Sequence, residues 1–281
     1  MSWQIALGQA LGSGVRSSRP VSGGDINEAH EVTLEDGRVI FAKTNGDADA
    51  AMFPAEARGL NWLREAKALR VPRVLAVSPA FLALDRISSG RRRPDFDEAL
   101  GRGLAALHRF GAPSFGLDHD NFIGRLPQAN QPAPTWAEFY RSRRIEPQLR
   151  LAAEQGLASP RMLRDGERLL AAMEEKVGPP EPPARLHGDL WGGNLLVDDQ
   201  GAPCLIDPAV HGGHRELDLG MMRLFGGFGA RVFEAYHEAL PLAPGHEERI
   251  PLYQLYFLLV HVNLFGGSYV ASVERALAAV V

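Results

Sequence analysis

Residues 184–208 restrict this 281-residue chain more than any other stretch does. Three short apolar runs, Ala184-Arg185-Leu186, Leu195-Leu196-Val197 and Cys204-Leu205-Ile206, read as strands, with oxygen-bearing side chains at their ends. The first run leads into His187-Gly188-Asp189-Leu190-Trp191-Gly192-Gly193-Asn194, and the third into Asp207-Pro208. Asn194 follows Asp189 by five positions, and Asp207 follows Asn194 by thirteen, the length of a hairpin. A loop held between apolar strands has to turn tightly, and Gly188, Gly192 and Gly193 supply the backbone freedom for it. Upstream, Pro179-Pro180-Glu181-Pro182-Pro183 stops a helix and enters the region as a stiff, extended spacer.

The remaining chain divides by its periodicity. Residues 30–43 predict a hairpin, because His30-Glu31-Val32-Thr33-Leu34 and Arg38-Val39-Ile40-Phe41-Ala42 flank Glu35-Asp36-Gly37. A glycine-bearing turn, Ser22-Gly23-Gly24-Asp25-Ile26-Asn27, precedes it. A helix over about 49–67 follows, with Met52, Glu56, Leu60 and Leu63 on one face. Strands near 74–77 and 81–84 complete a small sheet, and Ile87-Ser88-Ser89-Gly90 connects onward. From residue 97 the pattern is mainly helical. Leu100, Leu104 and Leu107 share one face, and further helices are expected over 135–155, 159–177, 215–239 and 247–281. The expected class is α+β with two lobes: a small β-rich one over residues 1–86 and a larger, mostly helical one over 87–281.

Composition excludes several function classes. With 45% apolar and 23% charged residues, the chain is neither disordered nor fibrous. A net charge of −4 argues against a basic nucleic-acid surface. Cys204 is the only cysteine, so there is no intrachain disulfide framework and no cysteine-rich metal site. Met1-Ser2-Trp3-Gln4 lacks the start of a signal peptide. The apolar stretch from Tyr253 to Phe265 is interrupted by Gln254, His261 and Asn263 and is too short to span a bilayer. A cytoplasmic protein with neither a membrane nor a nucleic-acid partner is the expectation.

The residue types explain one another if phosphate is the reacting group. A hydroxyl attacking phosphorus needs a carboxylate to orient it and accept its proton, and Asp189 fits. Mg²⁺ is a hard ion that takes oxygen ligands, which the Asn194 amide and the Asp207 carboxylate supply. This order and spacing is similar to that of a protein-kinase catalytic loop. A second signal sits upstream. Lysine occurs only at positions 43, 67 and 176, yet Lys43 ends the apolar run Val39-Ile40-Phe41-Ala42. Glu56 lies on an apolar helix face, where an unpaired carboxylate is costly, so a Lys43–Glu56 pair is expected. Residues 37–44 nearly match a nucleotide-binding glycine loop, but Ala42 replaces the required second glycine and the segment reads as strand. Gly23 and Gly24 suit either a plain turn or a backbone approach to phosphate. A transition-metal site built from His211, His214, Asp189 and Asp207 would leave Lys43, Glu56 and Asn194 without a role.

On these segments the sequence resembles the fructosamine kinase (ketosamine kinase) family, related to aminoglycoside phosphotransferases and of protein-kinase-like fold. Further matching runs are Gly213-His214-Arg215-Glu216, Phe225-Gly226-Gly227-Phe228, Ala235-Tyr236-His237 and Leu252-Tyr253-Gln254-Leu255-Tyr256. The resemblance implies an enzyme that uses ATP and Mg²⁺ bound between two lobes. It makes Asp189 the catalytic base and Asn194 and Asp207 the metal ligands. Lys43, held by Glu56, lies on the α- and β-phosphates, Gly23 and Gly24 lie over the phosphates, and the main chain at Asp85 and Ile87 meets adenine. The acceptor is a sugar hydroxyl, typically the 3-hydroxyl, of a ketoamine adduct on an amine, and loss of the phosphorylated adduct frees that amine. Trp191, His214 and Glu216 are the candidate acceptor contacts, and Asp218 resembles a buried acid that braces the catalytic loop. Free adducts, ribulosamines and glycated protein lysines stay open as acceptors. The alternatives are a kinase of another amino alcohol or aminoglycoside on the same fold, and a nucleotide-binding regulator without turnover.

Overall fold

The structure, a computed structural model, describes residues 2–21 and 27–281. The chain forms two units, each with its own core: Met1–Phe96 with Gly193–Pro208, and Asp97–Gly192 with Ala209–Val281. Residues 87–96 and 193–208, expected with the second domain, pack with the first.

The first unit begins with α1 (Trp3–Leu11), β1 (Val15–Val21), β2 (Glu28–Leu34), β3 (Val39–Thr44), α2 (Met52–Glu65), β4 (Val74–Ser78) and β5 (Phe81–Asp85). The strands form one antiparallel sheet in the order β1-β2-β3-β5-β4. The expected hairpin is β2–β3. It closes through the three-residue loop Glu35-Asp36-Gly37, where the Leu34 amide donates to the Arg38 carbonyl at 2.9 Å. Gly37 there takes a φ of +88°, which glycine adopts without strain. Alternation along β3 sorts its side chains. Ile40 and Ala42 join Leu7, Val32, Leu34, Phe81 and Ala83 in a core beneath α1. Lys43, one residue further, faces the α2 side, where Phe53, Leu60 and Leu63 are buried.

The second unit contains α3 (Phe96–Phe110), β6 (Asn121–Ile123), β7 (Leu126–Gln128), α4 (Trp136–Phe139), a π-helical turn (Tyr140–Ile145), α5 (Glu146–Glu154), α6 (Pro160–Ala171), α7 (Met173–Lys176) and β8 (Ala184–Leu186). The chain then crosses to the first unit for β9 (Leu195–Val197) and β10 (Pro203–Leu205). It returns with β11 (His211–Gly213), α8 (Glu216–Leu224), α9 (Ala230–Ala239), α10 (Ile250–Phe265) and α11 (Val270–Val280). β11 pairs with β8, and β10 pairs with β9, both antiparallel. Helix α10 is apolar nearly all round, as a central buried helix must be. Trp136 packs against Tyr140 and donates its indole N–H to the Tyr253 hydroxyl at 3.1 Å. That hydroxyl in turn donates to the Val177 carbonyl at 2.6 Å. Among the described residues, no helix is long and apolar enough to cross a membrane.

Two expected helices are broken, both at glycines with positive φ. Gly226 (+72°) and Gly227 (+92°) separate α8 from α9, and Gly266 (+88°) ends α10 before α11. The expected helix over 135–155 runs on, but its middle turn is π-helical. The packing also fixes Gly101 in α3, where a Cβ would lie 2.2 Å from the Val232 carbonyl oxygen of α9. Gly101→Ala is therefore expected to destabilise by about 1–3 kcal/mol, the usual range for overpacking. Calorimetry should show a lower Tm, and an unchanged Tm would contradict the close approach of these helices.

Candidate active site

In the first unit, alternation in β3 turns Lys43 inward, and α2 presents Glu56 to it. The Lys43 ammonium donates to Glu56 Oε1 at 2.7 Å and to Asp207 Oδ1 at 2.6 Å. Only 7% of the Lys43 side chain and 13% of the Glu56 side chain are exposed, against 37% for Asp207. Burial alone would lower the Lys43 pKa, but the two carboxylates raise it above its ordinary value, so the ammonium stays charged. Burial pushes the Glu56 carboxyl up. Lys43 opposes that shift and the second carboxylate at Asp207 adds to it.

Asn194 and Asp207 sit at the open end of the β9–β10 hairpin, where Leu195 pairs with Leu205. The Ile206 amide donates to the Asn194 carbonyl at 3.1 Å, and Asn194 Nδ2 donates to the Asp207 carbonyl at 3.4 Å. Asp207 itself has a φ of +55°, in the left-handed region. With the Asn194 nitrogen directed at a carbonyl, its Oδ1 is the atom it would offer a cation. One carboxylate and one amide oxygen match the donor chemistry of Mg²⁺, which keeps waters and substrate phosphates as its other ligands. Among the described residues, no group of three or more His, Cys, Asp or Glu is placed to hold a metal ion.

The second unit holds the loop that starts with His187. Asp218, in the first turn of α8, is fully buried. It accepts from the His187 amide at 2.8 Å, the Gly188 amide at 2.9 Å and His108 Nε2 at 3.1 Å. Burial alone would raise the Asp218 pKa, but the hydrogen bond and charge of His108, with His187 and the Gly188 amide, hold it below the ordinary value. His108 also meets the Tyr236 hydroxyl through Nδ1 at 2.8 Å. The sequence marks His108 as a core histidine, and nothing in its spacing announces that it braces Asp218. Gly188 has a φ of +81°, and a Cβ there would lie 2.0 Å from the Ala209 carbonyl oxygen. Asp189 follows, partly exposed, with its amide donating to His187 Nδ1 at 3.3 Å. Trp191 is 41% exposed beside it.

The other expected residues fall in different settings. Asp85 ends β5; its amide donates to the Arg73 carbonyl at 3.0 Å, and its carboxylate accepts from the Arg73 amide at 2.5 Å. Ile87 lies partly buried in the following connector. Gly23 and Gly24 lie outside the described residues. His214 is buried, with its ring stacked on Tyr253 at 5.4 Å and 9°. His211 packs against the rings of Phe139 and Trp136. Glu216 is buried in a bidentate pair with Arg249, at 2.6 and 2.8 Å.

The fructosamine kinase family profile matches residues 3–281. A "Probable ketoamine kinase" of Lactiplantibacillus plantarum is 39% identical over 268 residues, covering 94% of each chain. A chloroplastic protein-ribulosamine 3-kinase of Arabidopsis thaliana is 37% identical over 280 residues, covering 96% of this chain and 83% of that one. The crystal structure of a "putative fructosamine-3-kinase" from Thermobifida fusca superposes with a TM-score of 0.92 at 42% identity, covering 99% of this chain and 98% of the other. A macrolide 2'-phosphotransferase matches with a TM-score of 0.66 at 18% identity, a likeness of fold. The α+β, protein-kinase-like class expected from the sequence is thereby borne out.

Burial of the two histidines sets a pH dependence. Burial holds His214 at about 4, and it holds His211 well below the ordinary 6.5. In the unfolded chain both take up a proton near 6.5, so between there and about pH 4 only the unfolded state gains protons from His214. Stability is then lost as the pH falls through that window. Calorimetry at a series of pH values should show Tm declining from near pH 6.5, less steeply in His214→Phe. A flat Tm down to pH 4.5 would contradict neutral buried rings.

Proposed function

The chain belongs to the fructosamine kinase family, as its sequence motifs led one to expect, and from that premise we propose that it phosphorylates a sugar hydroxyl of ketosamines with ATP. It is a phosphotransferase with an alcohol group as acceptor. The observation that carries the assignment to this site is the Lys43 ammonium shared between Glu56 and Asp207, with Asn194 bonded to the Asp207 main chain. A buried lysine anchored on two carboxylates is a fixed cation for phosphate.

The residues then take the following roles. Lys43 lies on the α- and β-phosphates, and Glu56 keeps its ammonium in place. Asn194 and Asp207 would hold Mg²⁺, which would supply positive charge against the phosphoryl oxygens. Asp189 orients the acceptor hydroxyl and takes its proton as the bond to phosphorus forms. The main-chain carbonyl and amide at Asp85 and Ile87 suit the donor–acceptor edge of adenine. The exposed Trp191 ring, two residues from the base, stacks on the sugar–amine. His214 and Glu216 are buried and packed inside the second unit, and this reading leaves them out of the acceptor site. Most of the rate enhancement comes from positioning and charge.

The relative's name points to the 3-hydroxyl of a ribulosamine. A phosphate at C3 neighbours the enaminol that forms across C1 and C2. Its departure leaves an imine, which water hydrolyses to the free amine. The acceptors are small ketosamines and ketosamines on protein lysines, and the protein acts in the cytoplasm.

ADP release coupled to a dehydrogenase, with Mg²⁺-ATP and synthetic ribulosyl- or fructosyl-lysine, tests the reading. Turnover should depend on the adduct, and Asp189→Asn should lower kcat by about 10²–10⁴, the span for losing a general base. Turnover with choline or an aminoglycoside but with no ketosamine would assign another acceptor. ATP binding without transfer to any acceptor would make the protein a regulator.

A further inference from the structure

Arg144 is the largest fully buried side chain among the described residues. It sits in the π-helical turn between α4 and α5, and such wide turns occur disproportionately at functional sites. No carboxylate forms an ion pair with it among the described residues. Its Nη1 donates to the carbonyls of Ala129 (2.7 Å) and Arg143 (3.0 Å), and its Nη2 donates to Asn130 Oδ1 at 2.6 Å. The guanidinium carbon lies 4.6 Å from the Phe139 ring centre and 5.6 Å from that of Tyr256, while Nε has no hydrogen-bond partner. Burial lowers its pKa to about 10, so it is still a cation at neutral pH. Asp120 acts on this charge through space without forming an ion pair, so dipoles and ring faces make all its direct contacts; burying it this way is expensive, and a fold that needed only packing would place an apolar residue there.

The direction of the hydrogen bonds shows what the cation does. Arginine only donates, so it fixes which end of the Asn130 amide faces it. Asn130 must turn Nδ2 outward, and Nδ2 donates to Asn121 Oδ1 at 2.8 Å. Asn121 must then direct its own Nδ2 onward, to the Val210 carbonyl at 2.8 Å. Gln128 donates to the same Asn121 oxygen at 2.7 Å and to the Ala209 carbonyl at 3.2 Å, and it accepts from the Tyr256 hydroxyl at 2.7 Å. Ala209 closes the chain, because its amide donates to the His187 carbonyl at 2.9 Å. His187 opens the loop that carries Asp189. The Val210 and Ala209 carbonyls orient Asn121 and Gln128 in the same sense, and the His119 carbonyl accepts from Asn130 Nδ2 at 3.2 Å, so the cation anchors the Asn130 end of a relay whose direction the main chain also supports.

We infer that Arg144 is a positioning residue for the phosphoryl transfer: a buried guanidinium that anchors the Asn130 end of the Asn130–Asn121–Gln128 amide relay and through it holds the main chain beside the loop that carries Asp189. The inference rests on Asp189 being the base, which the activity assay tests separately. Arg144→Met should lower kcat by about 10–100-fold, the scale of a small misplacement of reacting groups, while the KM for ATP stays close to wild type. Arg144→Lys keeps the charge but not the fork and should recover part of the loss. Gln128→Met, at the far end of the relay, should reproduce the kcat loss if Arg144→Met does not fold. Hydrogen exchange reads the relay without substrate: the Ala209 amide should exchange faster in these variants than in the wild type. Unchanged exchange at Ala209, a kcat within about twofold of wild type, or equal losses in the Met and Lys variants that track Tm would overturn the inference.

Discussion

The rest of the site depends on one ammonium held by two carboxylates. Lys43, Glu56 and Asp207 come from a strand, a helix and the end of a hairpin 164 residues away in the chain. Each partner constrains the others. A one-residue slip of β3 would turn Lys43 into the apolar layer under α1 and bring Ala42 to its place. Removing the lysine would leave Glu56 buried without a cation, and breaking a buried pair in this way typically costs about 3–5 kcal/mol. One positive charge between two carboxylates also leaves the group net negative, a charge that a bound divalent cation would offset. The cost of burying these charges is tolerated because the same contacts fix Asp207 beside Asn194.

The second unit uses the opposite sign for the same end. Asp218 is an anion with no exposure, and it gathers the amides of His187 and Gly188 and the ring of His108. It lies in the first turn of α8, where the helix dipole also favours a negative charge. Gly188 lets the loop pass close to the Ala209 carbonyl, where any side chain would collide. In each unit the candidate residues thus hang from buried charges rather than from loop stiffness. This explains how glycine-rich segments can hold reacting groups in place.

Much of this was legible in the sequence, for identifiable reasons. The spacing of Asp189, Asn194 and Asp207 was readable because a short hairpin separates the last two. Lys43 and Glu56 stood out because charge interrupted an apolar pattern. Strand β1 was not readable: Val15-Arg16-Ser17-Ser18-Arg19-Pro20-Val21 is an exposed edge strand whose arginines and proline erase the alternation. Helix α1 buries only Leu7 fully and so carries a weak pattern. The three-residue strands β6, β7 and β11 are too short to show a period. The breaks at Gly226-Gly227 and Gly266 were hidden because apolar residues continue on both sides of them. Burial of His214 and Glu216 depends on Tyr253 and Arg249, partners far along the chain that no local pattern reveals. The roles of Arg144 and His108 are likewise tertiary, because a buried polar residue looks like a surface one until its partners are known.

The most direct test of the central claim is the identity of the phosphorylated atom. Phosphorus–proton correlation NMR of the product formed from ATP and ribulosyl-lysine should show one phosphate ester coupled to the C3 proton, followed by inorganic phosphate and free lysine. An ester on another carbon, or no ester from any ketosamine while other amino alcohols are phosphorylated, would contradict the account.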